Sequence, residues 1–356
     1  MGTLIILDLL GSVALLLWGL HMVQSGILRA YGPDLRQFLS QALGHRWSAF
    51  LAGLGLTALL QSSTATGLMT TSFTAQGLVE LAPALAIMLG ANVGTTLIVQ
   101  LLAFDIMAVA PILFLIGLVG FRGSFGGRIK NLGRTAIGFG LVLVALRLML
   151  NILAPAEHAA GTLAFFGAIS DDPVLCVAVA ALFTWIAHSS VAAVLLIMSL
   201  AASGFVTTEA TLALVLGANL GSAINPIIEG AGRGDPASYR LPVGNLINRL
   251  AGIALALPLL GLLADLFRNL ESDPARMAAE FHIAFNLATA ILFFGFLGPF
   301  ARLLKAIRRI ACARPAPRHR DISMKAPSKH HPSRLPTQPE RRCIWAISSR
   351  SCCATS

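Results

Sequence analysis

The sequence predicts an all-α polytopic membrane protein with two inverted repeats, about seven transmembrane helices and two re-entrant helical hairpins. Three observations carry this expectation. The 356 residues are 56% hydrophobic and 12% charged, with mean hydropathy +0.78, more apolar surface than an ordinary water-soluble core hides. Residues 61–96, QSSTATGLMTTSFTAQGLVELAPALAIMLGANVGTT, return without a gap 127 positions later as residues 188–223, HSSVAAVLLIMSLAASGFVTTEATLALVLGANLGSA. Basic and non-basic loops alternate along the chain, as they do when Lys and Arg stay on the cytoplasmic side of a bilayer.

The net charge of +10 belongs to the tail. Residues 1–300 hold 13 Lys and Arg against 14 Asp and Glu, whereas residues 301–356 hold 13 against 2. That distribution excludes nucleic acid as the partner of the main body. Of five cysteines, Cys176 falls in a membrane segment and the other four in the tail, without metal-site or disulfide-framework spacing. No cofactor is expected, and no nucleophile with a base or phosphate-cradling glycine loop suggests an enzyme.

The first span lies near 4–25. Its start lacks a positive n-region, carries Asp8 early and offers no small-x-small cleavage site, so it reads as a retained helix and not a signal peptide. Residues 47–75 come next and centre on Gln61-Ser62-Ser63-Thr64. They are too few for two full spans, which take about 20 residues each. A single span would put four polar residues mid-membrane, so a re-entrant hairpin fits better. Spans follow at 82–102, 106–121 and 134–153, a second hairpin at 173–203, and further spans at 209–228, 242–264 and 279–304.

Charge orients this path. Arg29, Arg36 and Arg46 follow the first span, and Arg122, Arg128, Lys130 and Arg134 return two spans after the hairpin. The loop 154–172 carries Glu157, Asp171 and Asp172 and no base; the next basic loop holds Arg233 and Arg240. The N-terminus is therefore expected outside and the tail in the cytoplasm of a cell inner membrane. An odd number of crossings separates equivalent points of the repeats, which makes them inverted. The first repeat is expected over 1–131 and the second over 132–304. The tail, 305–356, is rich in Arg, His, Pro and Ser and is expected to be disordered; its Cys352-Cys353 offers acylation, against the plainer reading of a solvated end.

The polar residues shared by the repeats are Ser62-Ser63 with Ser189-Ser190, and Gly90-Ala91-Asn92-x-Gly94 with Gly217-Ala218-Asn219-x-Gly221. Duplicated polar motifs inside duplicated apolar segments point to a secondary transporter with its site at the repeat interface. Hydroxyls, an amide and helix-end backbone groups in a dry setting suit dehydrated small ions. N–H groups at helix starts favour an anion, and freed carbonyl and hydroxyl oxygens favour Na+. Packing offers a plainer reading, since Ser, Thr and Gly line helix seams in membranes, Asn bonds neighbouring helices, and Thr hydroxyls such as those of Thr95 and Thr96 bond the preceding turn.

QSSTAT with GANVGTT, HSSVAA with GANLGS, and HxxFN at 282–286 resemble the sodium/phosphate cotransporter family, the bacterial relatives of the type II sodium-dependent phosphate cotransporters. The resemblance covers roughly 5–304. It implies a sodium-coupled carrier of inorganic phosphate, with Ser62, Ser63, Thr64, Ser189 and Ser190 binding phosphate. It places Na+ at Gln61, Asn92, Thr95, Thr96, His188, Asn219 and Ser222. The alternatives are a carrier of another anion and a non-transporting regulator of phosphate signalling. Two departures stand out: His188 replaces the usual Gln, and Ala223 a hydroxyl residue. From His188 an altered ion stoichiometry or pH dependence is expected. Asn245-Leu-Ile-Asn-Arg249 stands where an internal HxxFN belongs. In many relatives a helical regulator-like domain follows the membrane part, so the basic tail here reads as a truncated or frame-shifted end. Arg147 and Arg249 are expected to snorkel to the interface, and His21, His282 and Gln100 to be satisfied interhelical hydrogen bonders.

Overall fold

The computed structural model describes residues 2–41, 45–104, 107–123, 126–153, 170–230 and 237–312. The tail beyond 312 and most of the acidic loop 154–172 lie outside them, as does Arg233. All regular structure among the described residues is helical. A long α1 (Gly2–Gln41) precedes the pair α2 (Arg46–Leu60) and α3 (Ser63–Ala75), then α4 (Leu81–Leu102), α5 (Ala110–Arg122) and α6 (Gly127–Leu153). A second pair, α7 (Pro173–Ala187) and α8 (Ser190–Ala202), precedes α9 (Thr208–Gly230), α10 (Ala237–Ala256), α11 (Leu260–Leu270), α12 (Pro274–Phe294) and α13 (Leu297–Cys312).

Among the described residues, six segments are long and apolar enough to cross a membrane: Leu7–Leu35, Leu81–Leu102, Gly127–Ile152, Thr208–Glu229, Ser238–Leu270 and Pro274–Phe294. Exposed apolar side chains such as Leu115, Val119, Ile186 and Ile291 form the kind of surface that lipid covers. The span expected at 106–121 is shorter than read. Pro111 fixes the start of α5 and Gly123 caps its end, leaving a helix of 13 residues, about 20 Å long and short of the roughly 30 Å hydrocarbon layer. The stretch 279–304 is likewise not one helix. Asp273 caps the start of α12 by accepting from Ala275 N at 2.9 Å, and the chain breaks at Gly295 and Phe296 before α13. That last helix is amphipathic, with Leu297, Ala301 and Leu304 buried and Arg302 and Lys305 exposed.

Each Ser-Ser segment is a pair of short helices joined by the same turn. Gln61 adopts φ 53° and ψ 26°, Ser62 is extended, and the Ser62 hydroxyl accepts from Ala65 N at 3.1 Å as the N-cap of α3. His188 adopts φ 52° and ψ 21°, and Ser189 caps α8 by accepting from Ala192 N at 3.1 Å. The left-handed residue ends one helix and the serine starts the next, which turns the chain within two residues. The described residues with positive φ are Gln61, His188, Gly77 and Gly204, two pairs each 127 apart. The duplication in sequence is therefore a duplication in backbone.

A β-branched residue is strained at positive φ. Gln61→Val is expected to lower the stability of the purified protein by about 1–3 kcal/mol, whereas Gln61→Gly keeps it and removes only the amide. Thermal melting of the two variants checks this. A Val variant as stable as the Gly variant would show that the turn adapts freely.

After each pair, a helix with Gly-Ala-Asn-x-Gly packs on the pair's first arm. A Cβ on Gly90 would meet Phe50 O at 1.9 Å, and one on Gly94 would meet Leu54 O at 2.5 Å. On Gly217 it would meet Val177 O and on Gly221 Ala181 O, each at 2.3 Å. The glycines thus seat α4 on α2 and α9 on α7 with backbone against backbone. The second arms cross over: α3 packs on α9 and α10, and α8 on α4, α6 and α12.

Candidate functional site

The two turns meet. A cavity of about 150 Å³ is lined by Gln61, Ser62, Ser63 and Thr64 from the first tip and by Ala187, His188, Ser189 and Ser190 from the second. Thr95 of α4 closes one side, and Leu17, Leu20, His21 and Gln24 of α1 close another. Both α3 and α8 begin at this cavity. N–H groups in a helix's first turn lack intrahelical partners, and Ser62 and Ser189 satisfy one each. The remaining donors sit at the positive ends of two helix dipoles, a setting for an anion. Ser63 and Ser190, at 6% and 7% exposure, are the first helical residues and not the caps.

Acceptors are present as well. Gln61 Oε1 is buried without a protein partner. Thr57 donates to Thr66 Oγ1 at 2.8 Å and ties the two arms of the first pair together; Ala193 occupies the position equivalent to Thr66, and Thr184 Oγ1 there is left without a partner. His188 Nδ1 lies 3.2 Å from Glu229 Oε1, so the residue that departs from the motif is engaged by a carboxylate of α9.

The expected residues separate into two groups. Gln61, Ser62, Ser63, Thr64, Thr95, His188, Ser189 and Ser190 share the cavity, while Asn92, Thr96, Asn219 and Ser222 do not line it. Thr95 and Thr96 donate to Asn92 O and Val93 O, and Ser222 to Asn219 O at 2.9 Å. These are the local bonds that hydroxyls on helices commonly make. Asn92 Nδ2 donates to Asn245 Oδ1 at 2.9 Å, linking α4 to α10.

Arg249 does not snorkel. It is 2% exposed and donates to Oδ1 of Asn219 and, at 2.6 Å, to Oδ1 of Asn286. Inward-facing partners on α9 and α12 hold the side chain where hydropathy alone places it near an interface. Both ring nitrogens of His282 are buried without partners, unlike the bonded histidine expected. Arg147 is exposed and His21 is exposed at the cavity. Of the α1 wall the sequence singles out only His21, although Leu17, Leu20, His21 and Gln24 follow the 3- and 4-residue spacing of one helix face.

Residues 15–151 and 158–297 match the family described as Na+/Pi-cotransporter. The chain belongs to that family. The family name is that of a transporter and not of an enzyme. Among similar proteins, the Escherichia coli (strain K12) protein named "Putative inorganic phosphate export protein YjbB" is 41% identical over 306 residues, 86% of this chain and 56% of that protein. Its Salmonella typhimurium namesake is 40% identical over the same shares. The Bacillus subtilis protein named "Uncharacterized protein YqeW" is 26% identical over 85% of this chain and 97% of its own length. The chain thus spans about half the length of the phosphate-export relatives. No solved structure matches it.

Proposed function

We propose that the chain is the membrane part of a sodium-coupled carrier of inorganic phosphate in a cell inner membrane, with its N-terminus outside and its tail in the cytoplasm. The observation that carries this reading is the convergence of both Ser-Ser tips on one cavity in a member of the Na+/Pi-cotransporter family. Phosphate sits between the starts of α3 and α8, bonded by Ser62, Ser63, Thr64, Ser189, Ser190 and the free first-turn N–H groups. Na+ takes the acceptors of the first repeat, Gln61 Oε1 and Thr95 at the cavity and Asn92 and Thr96 of α4 outside its lining. His188 and Ser222 stand at the corresponding second-repeat positions, where the carbonyl oxygen of Asn219 is already held by Arg249.

The two tips belong to inverted, re-entrant halves, and access alternates as one tip withdraws from the other. The helices α2, α3, α7 and α8 have 13 to 15 residues, about 20–22 Å each, so neither arm of a pair spans the layer alone, which supports re-entrance. A carrier runs down whichever summed gradient exists, and the export in the names of the Escherichia coli and Salmonella relatives favours net efflux in the cell.

Phosphate flux into and out of proteoliposomes under an imposed Na+ gradient tests the reading. Flux that follows the Na+ gradient in both directions is expected. Folded protein that moves no phosphate would turn the assignment toward another anion or a regulator of phosphate signalling.

A further inference from the structure

The polar motif of the second repeat is closed by a charge, and that of the first is not. Arg249 and Asn286 Nδ2, the latter at 3.0 Å, both donate to Asn219 Oδ1, which fills the lone pairs of that acceptor. Among the described residues no carboxylate pairs with Arg249. The equivalent oxygen of the first repeat, Asn92 Oδ1, is buried on a side chain 3% exposed and has no partner. Asn92 carries its amide toward Asn245, four residues before Arg249 on α10. The same asparagine thus presents an open carbonyl oxygen in one repeat and a carbonyl oxygen held by guanidinium in the other.

Isolated charge inside a membrane protein is costly to keep and marks function by default. A guanidinium stays charged at any working pH, and to an amide oxygen it offers an attraction of the same sign as a Na+ does. We propose that Arg249 is a built-in cation of the second repeat, occupying at Asn219 the place that Na+ takes at Asn92. Only the first-repeat asparagine then binds the coupling ion. This inference rests on the sodium-coupled reading above. Its consequence is a lower transported charge, because the positive charge of Arg249 does not cross the membrane and fewer Na+ accompany each phosphate.

Radioactive Na+ binding to the purified full chain in lipid nanodiscs tests the proposal, with Asn92→Ala, Asn219→Ala and Asn219→Asp beside the wild type. Asn92→Ala is expected to weaken binding at least about tenfold, and Asn219→Ala to leave it unchanged. Asn219→Asp keeps the shape of the side chain and pairs with Arg249, so it remains informative where the alanine variant fails to fold. It is expected to bind Na+ as the wild type does. Equal weakening in Asn92→Ala and Asn219→Ala, or tighter binding in Asn219→Asp, would overturn the built-in cation and leave sodium coupling standing. A wild type that binds no Na+ and moves phosphate without it would remove sodium coupling itself, and this inference with it.

Discussion

Replacing Ser63 and Ser190 together by alanine is expected to abolish phosphate transport in a protein that still folds. These serines, and not Ser62 and Ser189, are the informative pair. Ser62 and Ser189 cap α3 and α8, so an alanine at either costs about 1 kcal/mol of stability whatever the side chain does for substrate. Ser63 and Ser190 line the same cavity from the first helical position, where alanine is the better helix former. A hydrogen bond to a charged group is worth about 1.5–3 kcal/mol, so losing two weakens phosphate binding by a hundredfold or more, at about 1.4 kcal/mol per factor of ten. Sodium-driven flux as a function of phosphate concentration reads the effect directly. An unchanged half-saturation concentration in the double variant would remove both hydroxyls from the site. For the caps, Ser62→Gly keeps most of the capping preference and separates lost hydroxyl from lost helix start.

The second large effect falls on the scaffold. Gly90→Ala is expected to prevent accumulation of folded protein, with a cost of at least about 3 kcal/mol. The added carbon would stand 1.9 Å from Phe50 O and 2.8 Å from Phe50 C, and a backbone carbonyl inside a helix cannot swing aside as a side chain does. Gly217→Ala, with Val177 O at 2.3 Å, is expected to behave alike in the second repeat. Gly55 provides the contrast. It lies within α2, nothing stands within 4 Å of its Cβ position, and Gly55→Ala is expected to stabilise by about 0.5–1 kcal/mol. Monodisperse yield and melting temperature of the three variants decide the matter. A Gly90→Ala protein as stable as the wild type would show that α2 and α4 separate at little cost.

What the sequence shows of this architecture follows from where the information sits. The turn at Gln61 and His188 is legible because a polar run interrupts an apolar segment twice, at one spacing, and only a tight reversal accommodates it. The glycine seams are legible for the same reason, as small residues repeated at a fixed offset. The length of α5 is less so: averaging hydropathy over 106–121 conceals Pro111 and Gly123, which end the helix by backbone chemistry and not by polarity. Arg249 is illegible locally. Its partners, Asn219 and Asn286, lie 30 and 37 residues away, and a lone arginine in an apolar segment looks the same whether it turns to the interface or inward. The α1 wall is hidden by composition, since a helix apolar on most faces gives a weak contrast for Leu17, Leu20, His21 and Gln24.

The glycine seams also turn each tip into the end of a lever. With α2 fixed to α4 and α7 to α9 at carbonyl contact, an arm cannot bend alone and must tilt with its neighbour as one stiff piece. An arm of 15 residues is about 22 Å long. A tilt of about 10° at its base sweeps the tip by about 4 Å, more than the full length of a hydrogen bond. In the proposed carrier, release of a bound ion then requires no unfolding of α3 or α8 and no rearrangement of the serines, only a small rotation whose pivot lies far from the ion it frees.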